Sequence, residues 1–210
     1  MILIGQYDSS YVRRVGIALA LYEIPFEHRP WSTFGDAERL AEYNPLLRVL
    51  TLVLDSGDVL VESHVILDYV DGLVPAGRRM YPQTEPERHR ALGIAALATG
   101  LADKAVSLFY ERVLHKEGVS PLWVERCTTQ IANTLGVLEE SRKSASTSYW
   151  FGERIGHADI AVTVALRHLG DSHPDLAPLI AKHTALAAHA ARLEALPVFQ
   201  KLSQPFLPPA

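Results

Sequence analysis

The sequence predicts an α/β domain followed by an all-helical domain. Strand-like and helix-like segments alternate in the order βαβαββα over about the first 72 residues. From Glu87 onward long helical patterns dominate and strand signals are absent. The stretch between them contains Pro, Gly and charged residues, which is typical of a linker. We therefore expect an α/β domain over 1–75, a linker over 76–85 and a helical domain over 86–210.

The first half of the α/β domain is predicted as strand, helix, strand and short helix. Residues 2–4 form an apolar strand, and Asp8, Ser9 and Ser10 precede an apolar helix over 12–22. Residues 26–29 are a short strand candidate. A short helix over 36–43 is expected to end at Asn44 and Pro45.

The second half of this domain is predicted as a β-hairpin followed by a helix. Residues 50–54 and 59–61 have strand character, and the polar stretch 55–58 has turn chemistry. Ser63 is expected to cap the next helix, which runs over 63–71. A helix N-terminus beside a Ser hydroxyl suits a carboxylate, although Glu62 and Ser63 are equally compatible with an ordinary cap.

The helical domain is predicted to contain four long helices and a short one. The patterns place them over 86–115, 121–143, 158–169, 176–193 and 197–202. The Ala-rich stretch 176–193 suits close packing against neighbouring helices.

Composition excludes several classes of function. The net charge of −4 provides no basic field for nucleic acid or anionic lipid, and no apolar run reaches the ~20 residues that span a membrane. The single Cys127 forms no internal disulfide, so we expect a cytoplasmic protein with Cys127 as a buried core residue rather than a reactive thiol. The nine His match no metal-binding motif, so no metal is expected, and His168, His173, His183 and His189 are interpreted as surface or capping residues.

Four motifs in order resemble the bacterial glutathione S-transferase family, and the resemblance covers almost the whole chain. These are 8–19 (DSSYVRRVGIAL), Arg48-Val49-Leu50, Glu62-Ser63 and 155–162 (IGHADIAV). Membership implies a thioredoxin-like N-terminal domain, a homodimer, and glutathione with a small hydrophobic electrophile as partners, in detoxification.

The resemblance also implies roles for individual residues. Ser9 would activate the glutathione thiol, with Ser10 as the alternative if the register slips by one residue, although either could be only an N-cap. Glu62 and Ser63 would hold the γ-glutamyl group. Arg48 would bind the glycyl carboxylate or remain a solvated loop residue, and Val49 and Leu50 would bind the cysteinyl part of glutathione. Tyr110 would line an acceptor-substrate pocket or simply pack in the core.

Leu50 and Gly156 depart from the family pattern. Leu50 stands where the family has a cis-Pro, and a cis bond before a non-proline residue costs about 2.5–4 kcal/mol. We therefore expect a trans Val49-Leu50 bond, a rearranged loop, and either weaker glutathione binding or a preference for another thiol or acid. Gly156 replaces a Ser or Thr cap, but Asp159 is still expected to reach back to the helix start.

The resemblance leaves three functions open. The first is a glutathione S-transferase, and the second is a glutathione-dependent isomerase. The third is a non-catalytic glutathione-binding or regulatory protein on the same fold. Disulfide reductase chemistry is disfavoured because no Cys lies near the first helix.

Overall fold

The computed structural model describes residues 1–115 and 117–208, which divide into two compact units. The first unit contains the predicted βαβαββα order, which is confirmed. Its elements are β1 (Ile2–Ile4), α1 (Ser10–Leu21), β2 (Glu27–Arg29), α2 (Ala37–Ala41), β3 (Thr51–Val53), β4 (Val59–Val61) and α3 (Ser63–Gly72).

The four strands form one mixed sheet with the order β2-β1-β3-β4. Strand β1 pairs with β2 in parallel and with β3 antiparallel, and β3 pairs antiparallel with β4. Leu3 lies opposite Leu52 in the β1–β3 register, and both side chains are fully buried. The parallel pair requires a crossover connection, which α1 supplies.

The second unit is a helical bundle, as predicted. It contains α4 (Glu87–Leu114), α5 (Pro121–Ser144), α6 (His157–Ser172), α7 (Ala177–Lys182) and α8 (Thr184–Glu194). Helix α4 packs against both α5 and α6, and Leu101, Leu108 and Ile131 are fully buried in this unit. Cys127 is also fully buried on α5, so its prediction as a core residue is confirmed.

Helix α4 is long and apolar enough, by length and composition alone, to cross a membrane. Core helices of bundles meet the same criterion, so one such helix is weak support for a membrane span. Here α4 supplies buried residues to the packing with α5 and α6.

The helix predicted over 176–193 is interrupted, so this prediction is wrong. Helix α7 ends at Lys182 and α8 begins at Thr184. The cause is Glu139 on α5, whose side chain is almost fully buried. Its carboxylate accepts hydrogen bonds from Ala185 N at 3.1 Å and Leu186 N at 2.9 Å. In a continuous helix these two amides would donate to carbonyls one turn earlier, so the distant carboxylate marks a new helix start.

The residues from Ala195 onward belong to the first unit, which differs from the expected single helical domain over 86–210. This segment includes α9 (Pro197–Lys201). Arg13 on α1 provides the physical reason, because its buried guanidinium donates to Phe199 O and Leu202 O, each at 2.7 Å. These bonds join the chain terminus to α1.

The expected linker over 76–85 does not separate the units along its whole length. It contains a short 3-10 turn over Ala76–Arg78, and the first unit extends to Gln83. Met80 N and Tyr81 N donate to the buried carboxylate of Asp71 on α3, at 3.0 and 3.4 Å. Asp71 therefore holds part of this stretch on the α/β unit.

Asp159 organises the start of α6, as the sequence predicts. Its Oδ2 accepts from Gly156 N at 2.9 Å, and its Oδ1 accepts from Trp150 N at 3.0 Å. His189 Nε2 lies 3.1 Å from Asp159 Oδ1 and is buried. The prediction of a surface or capping role is therefore wrong for His189 and for the buried His168, whereas His173 and His183 do end helices.

We predict that Glu139→Ala lowers the free energy of unfolding by ~1–3 kcal/mol, because it removes the acceptor for two amides. Burial opposes ionisation, but the bonds from Leu186 N, Ala185 N and Lys143 hold the pKa of Glu139 below its ordinary value of 4.5. The contribution of Glu139 to the free energy of unfolding is therefore complete above pH 4.5 and declines as the pH falls through the lowered pKa.

Chemical denaturation between pH 3 and pH 7 measures this contribution. The matched control is Glu140→Ala, which removes the neighbouring exposed carboxylate, whose partner is Lys143. Equal effects of the two variants at neutral pH would contradict the assigned role of Glu139.

Candidate functional site

The first unit contains an open cleft where the loop before β3 meets the start of α3. The five residues that the resemblance assigned to glutathione binding, as distinct from activation of the thiol, all line this cleft. The lining consists of Tyr11, Asn44, Leu46, Arg48, Val49, Leu50, Val61, Glu62 and Ser63. The structure thus brings together two sequence motifs that lie about a dozen residues apart in the chain.

One side of the cleft is a loop held by the side chain of Asn44. This residue is buried, and its Nδ2 donates to Arg48 O at 2.9 Å and to Thr51 Oγ1 at 3.3 Å. Its Oδ1 accepts from Leu46 N at 3.0 Å. One carboxamide therefore fixes the loop at both ends, which positions Arg48 and the residues that follow it.

The peptide bond between Val49 and Leu50 is cis, so the predicted trans bond is wrong. The prediction considered only the local preference of a bond before Leu. In the folded chain this bond lies between the two Asn44 contacts, and the Leu50 side chain is buried. The expectations of a rearranged loop and of a changed ligand rested on the trans bond and lose their basis.

Gly5 allows this loop to approach the sheet closely. Its φ is +130°, and a Cβ at this position would lie 2.9 Å from Val49 Cβ and 2.5 Å from Val12 Cγ2. A larger residue would therefore displace either the loop or α1. The end of β1 accepts Val49 only because residue 5 has no side chain.

The other side of the cleft is the N-terminus of α3. Helix α3 begins at Ser63 with Glu62 in the N-cap position, so the expected capping role of Ser63 is wrong. The Ser63 hydroxyl instead accepts a hydrogen bond from Arg14 Nη1 at 3.4 Å, because the buried guanidinium approaches it from α1. The side chain of Glu62 does not cap α3, which leaves the amides of its first turn available to a ligand.

Glu62 has an unusual backbone conformation for a residue with a side chain. Its φ is 68° and its ψ is 119°. Such conformations cost about 1–3 kcal/mol and cluster at binding sites. The Glu62 carboxylate lies 3.7 Å from Arg48 Nη1, and both side chains are about half exposed. The cleft therefore presents a cation and an anion at its rim.

Ser9 and Ser10 lie at the start of α1 and are not among the cleft-lining residues. Ser9 occupies the N-cap position, but its hydroxyl makes no bond to the helix amides. It is partly exposed, whereas Ser10 is buried and its Oγ has no partner in the described part of the chain. Solvent and small molecules therefore have access to Ser9 rather than to Ser10.

Tyr110 lies on α4 in the second unit. It is half-buried, and its ring meets that of Phe109 at 6.3 Å with an interplanar angle of 61°. This contact is compatible with the core-packing interpretation. Its role at an acceptor pocket stays a prediction.

Sequence reasoning missed Tyr11, Asn44 and Arg14 as contributors to the site. The sequence pattern places Asn44 at the end of a short helix and gives it no role in the site. An Asn-Pro pair shortly before a buried strand is a usable signal, because Asn side chains commonly bond to nearby backbone in turns. A second signal was available for Arg14, since an Arg within an apolar helical pattern needs a buried partner.

Among residues 1–115 and 117–208, no group of three or more His, Cys, Asp or Glu side chains is arranged to hold a metal ion.

Both halves of the chain match models of known families. Residues 3–79 match the glutathione S-transferase N-terminal domain, and residues 121–192 match the glutathione S-transferase C-terminal domain. The chain is 30% identical over 139 residues to the uncharacterized GST-like protein YibF of Escherichia coli, a match covering 66% of this chain and 68% of that protein.

Solved structures agree with this result. A glutathione S-transferase from Methylobacterium radiotolerans, in complex with glutathione sulfonate, superposes with a TM-score of 0.89 at 28% identity, covering 100% of this chain and 98% of that one. A glutathione transferase family member from Pseudomonas fluorescens, with bound glutathione, gives 0.84 at 31% identity, covering 98% and 99%. The chain belongs to the glutathione S-transferase family.

Proposed function

We propose that this protein binds glutathione in the cleft and is a glutathione transferase, activating the thiol for attack on a small electrophile. The observation that carries the proposal is that Arg48, Val49, Leu50, Glu62 and Ser63 line one cleft at the N-terminus of α3. Further support comes from the relatives solved with glutathione or glutathione sulfonate.

The chemistry of the cleft matches the three parts of glutathione. The γ-glutamyl carboxylate would accept from the Ser63 hydroxyl and from the free amides of the first turn of α3. Glu62 would bind the ammonium group, and Arg48 would bind the glycyl carboxylate. The cysteinyl segment would then run beside Val49 and Leu50.

Catalysis by such a site requires the thiolate at neutral pH. A free thiol has a pKa of about 8.5, so only a few per cent is ionised at pH 7. A hydroxyl that donates to the sulfur stabilises the anion, as does a helix N-terminus. Ser9 combines both features, because it is the N-cap residue of α1 and its hydroxyl is not used for capping. The thiol proton would pass to solvent, and the thiolate sulfur would form a bond to the electrophilic carbon. In a substitution the leaving group departs with the electrons of its bond to that carbon, and in an addition the resulting anion takes a proton from solvent.

We further propose a cytoplasmic location, a small hydrophobic acceptor substrate with Tyr110 in its pocket, and a role in detoxification. The fully buried thiol of Cys127, the only cysteine, supports a reducing environment. A thermal-shift measurement with glutathione tests binding directly, and turnover of an activated aryl halide tests transfer. Stabilisation by glutathione without turnover of any electrophile would favour the non-catalytic binding function.

We predict that Ser63→Ala weakens glutathione binding by ~1–3 kcal/mol, because a charged group loses one hydrogen-bond donor. Isothermal titration calorimetry measures the change in Kd. The control is Ser56→Ala in the exposed turn between β3 and β4, where Ser56 Oγ bonds only within the turn to Asp58. An unchanged Kd for Ser63→Ala would remove Ser63 from the site.

We predict that Ser9→Ala lowers turnover by roughly 10²-fold, the usual effect of removing one donor to a developing anion, while glutathione still binds. The pKa of the bound thiol should rise, which moves the pH–rate profile to higher pH. Ser10→Ala is the matched comparison. If Ser10→Ala produces the alkaline shift and Ser9→Ala does not, the register of the catalytic serine is off by one residue.

We predict a homodimer at micromolar concentration. Val65 and Tyr69 on α3 and Leu73 at its C-cap are spaced four residues apart, and each side chain is more than one third exposed, so they form an apolar stripe. Sedimentation velocity should give the mass of two chains, and Tyr69→Arg should shift the boundary toward the monomer. A monomeric wild-type protein would contradict the prediction.

A further inference from the structure

Arg14 is a buried cation behind the cleft whose hydrogen bonds are incomplete. Its side chain lies on α1 and is 1% exposed. Nη1 donates to Ser63 Oγ at 3.4 Å, and Tyr81 also bonds to the guanidinium. In the described part of the chain, Nε and Nη2 have no partner, and no carboxylate forms an ion pair with Arg14.

A guanidinium in this environment stays charged. Burial lowers the pKa of Arg14 from its ordinary value and Tyr81 partly opposes this effect, but arginine starts well above the physiological range. A buried charge without an opposite charge is costly, so such groups are usually paired. An anion bound near Arg14 would supply the opposite charge that the described residues do not provide.

Arg13, the preceding residue, shows the contrast. It is equally buried at 2% exposed, but its guanidinium donates to Phe199 O and Leu202 O at 2.7 Å. These bonds attach the C-terminal segment to α1 and satisfy the guanidinium. Arg14 has no comparable pair of carbonyl acceptors, and its one side-chain acceptor in the cleft is Ser63.

The direction of the Arg14–Ser63 bond determines what Ser63 can do. A guanidinium has only donors, so Ser63 Oγ must be the acceptor in this contact. The hydroxyl hydrogen of Ser63 is then not used by Arg14 and is available to an acceptor on the cleft side. A carboxylate there would accept that hydrogen and would also be attracted by the positive charge behind the hydroxyl.

We propose that Arg14 is a positioning residue that orients the Ser63 hydroxyl as a donor and makes the α3 end of the cleft selective for the α-carboxylate of a γ-glutamyl group. This proposal rests on the proposed function, because it assigns a determinant of specificity to the same cleft. It adds a residue that does not line the cleft and therefore acts only through Ser63.

The test compares two ligands by calorimetry. One is glutathione, and the other is 4-aminobutyryl-cysteinylglycine, which lacks the α-carboxylate of the glutamyl residue. Wild-type protein should bind glutathione roughly tenfold more tightly or better than the analogue, as expected for a charged partner of a buried donor. The measured ratio is the Kd of the analogue divided by the Kd of glutathione. Arg14→Met should reduce this ratio toward one by weakening glutathione binding alone.

Three further variants separate positioning from a general loss of structure. Arg14→Lys keeps the charge and should restore much of the ratio, whereas Arg13→Met should lower the melting temperature and leave the ratio unchanged. In a Ser63→Ala background, Arg14→Met should have little additional effect, because the two residues act through one hydroxyl. The ratio is measured only on folded protein, and Arg14→Gln, which also removes the charge, replaces Arg14→Met if that variant does not fold.

The outcomes distinguish this proposal from the proposed function. If the wild-type protein binds neither peptide, the proposed function fails. If the wild-type protein binds glutathione but the charge-removing Arg14 variant keeps the full ratio, or weakens the binding of both ligands equally, the role of Arg14 is wrong while glutathione binding stands.

Discussion

The buried carboxamide of Asn44 joins Arg48 O, Thr51 Oγ1 and Leu46 N through three hydrogen bonds. These bonds connect the end of a short helix to the start of β3, and the loop between them carries the cis bond and the Arg48 side chain. Because both ends of the loop are fixed by one residue, the shape of the loop side of the cleft depends on Asn44.

Buried polar side chains set the boundaries of elements and units throughout this protein. Glu139 divides α7 from α8 by accepting two amides, and Asp159 begins α6 by accepting from Gly156 and Trp150. Arg13 attaches the C-terminal segment to α1. In each case a charged group is removed from water and compensated by backbone groups, which for Glu139 and Arg13 come from a distant part of the chain. Each such group therefore fixes one arrangement and disfavours alternatives.

Arg14 and Arg13 illustrate how neighbouring residues of one type can serve different purposes. They are successive on α1 and almost equally buried, yet one bonds to main-chain carbonyls and the other to a serine in the cleft. Successive positions on a helix are separated by about 100°, so the two guanidinium groups point to different surroundings. The function of a buried cation therefore follows from the acceptors on its side of the helix.

The amino-acid sequence by itself determined the order of strands and helices, the division into an α/β part and a helical part, and the two motifs that line the cleft. Hydrophobic periodicity and turn chemistry are local, so they are visible without a structure. Only the tertiary structure decided four further features. These are the cis bond at Leu50, the break before α8, the assignment of residues 195–208 to the first unit, and the contact of Arg14 with Ser63. Each depends on a polar partner that is distant in sequence or held by the folded loop, and local propensity carries no information about such partners.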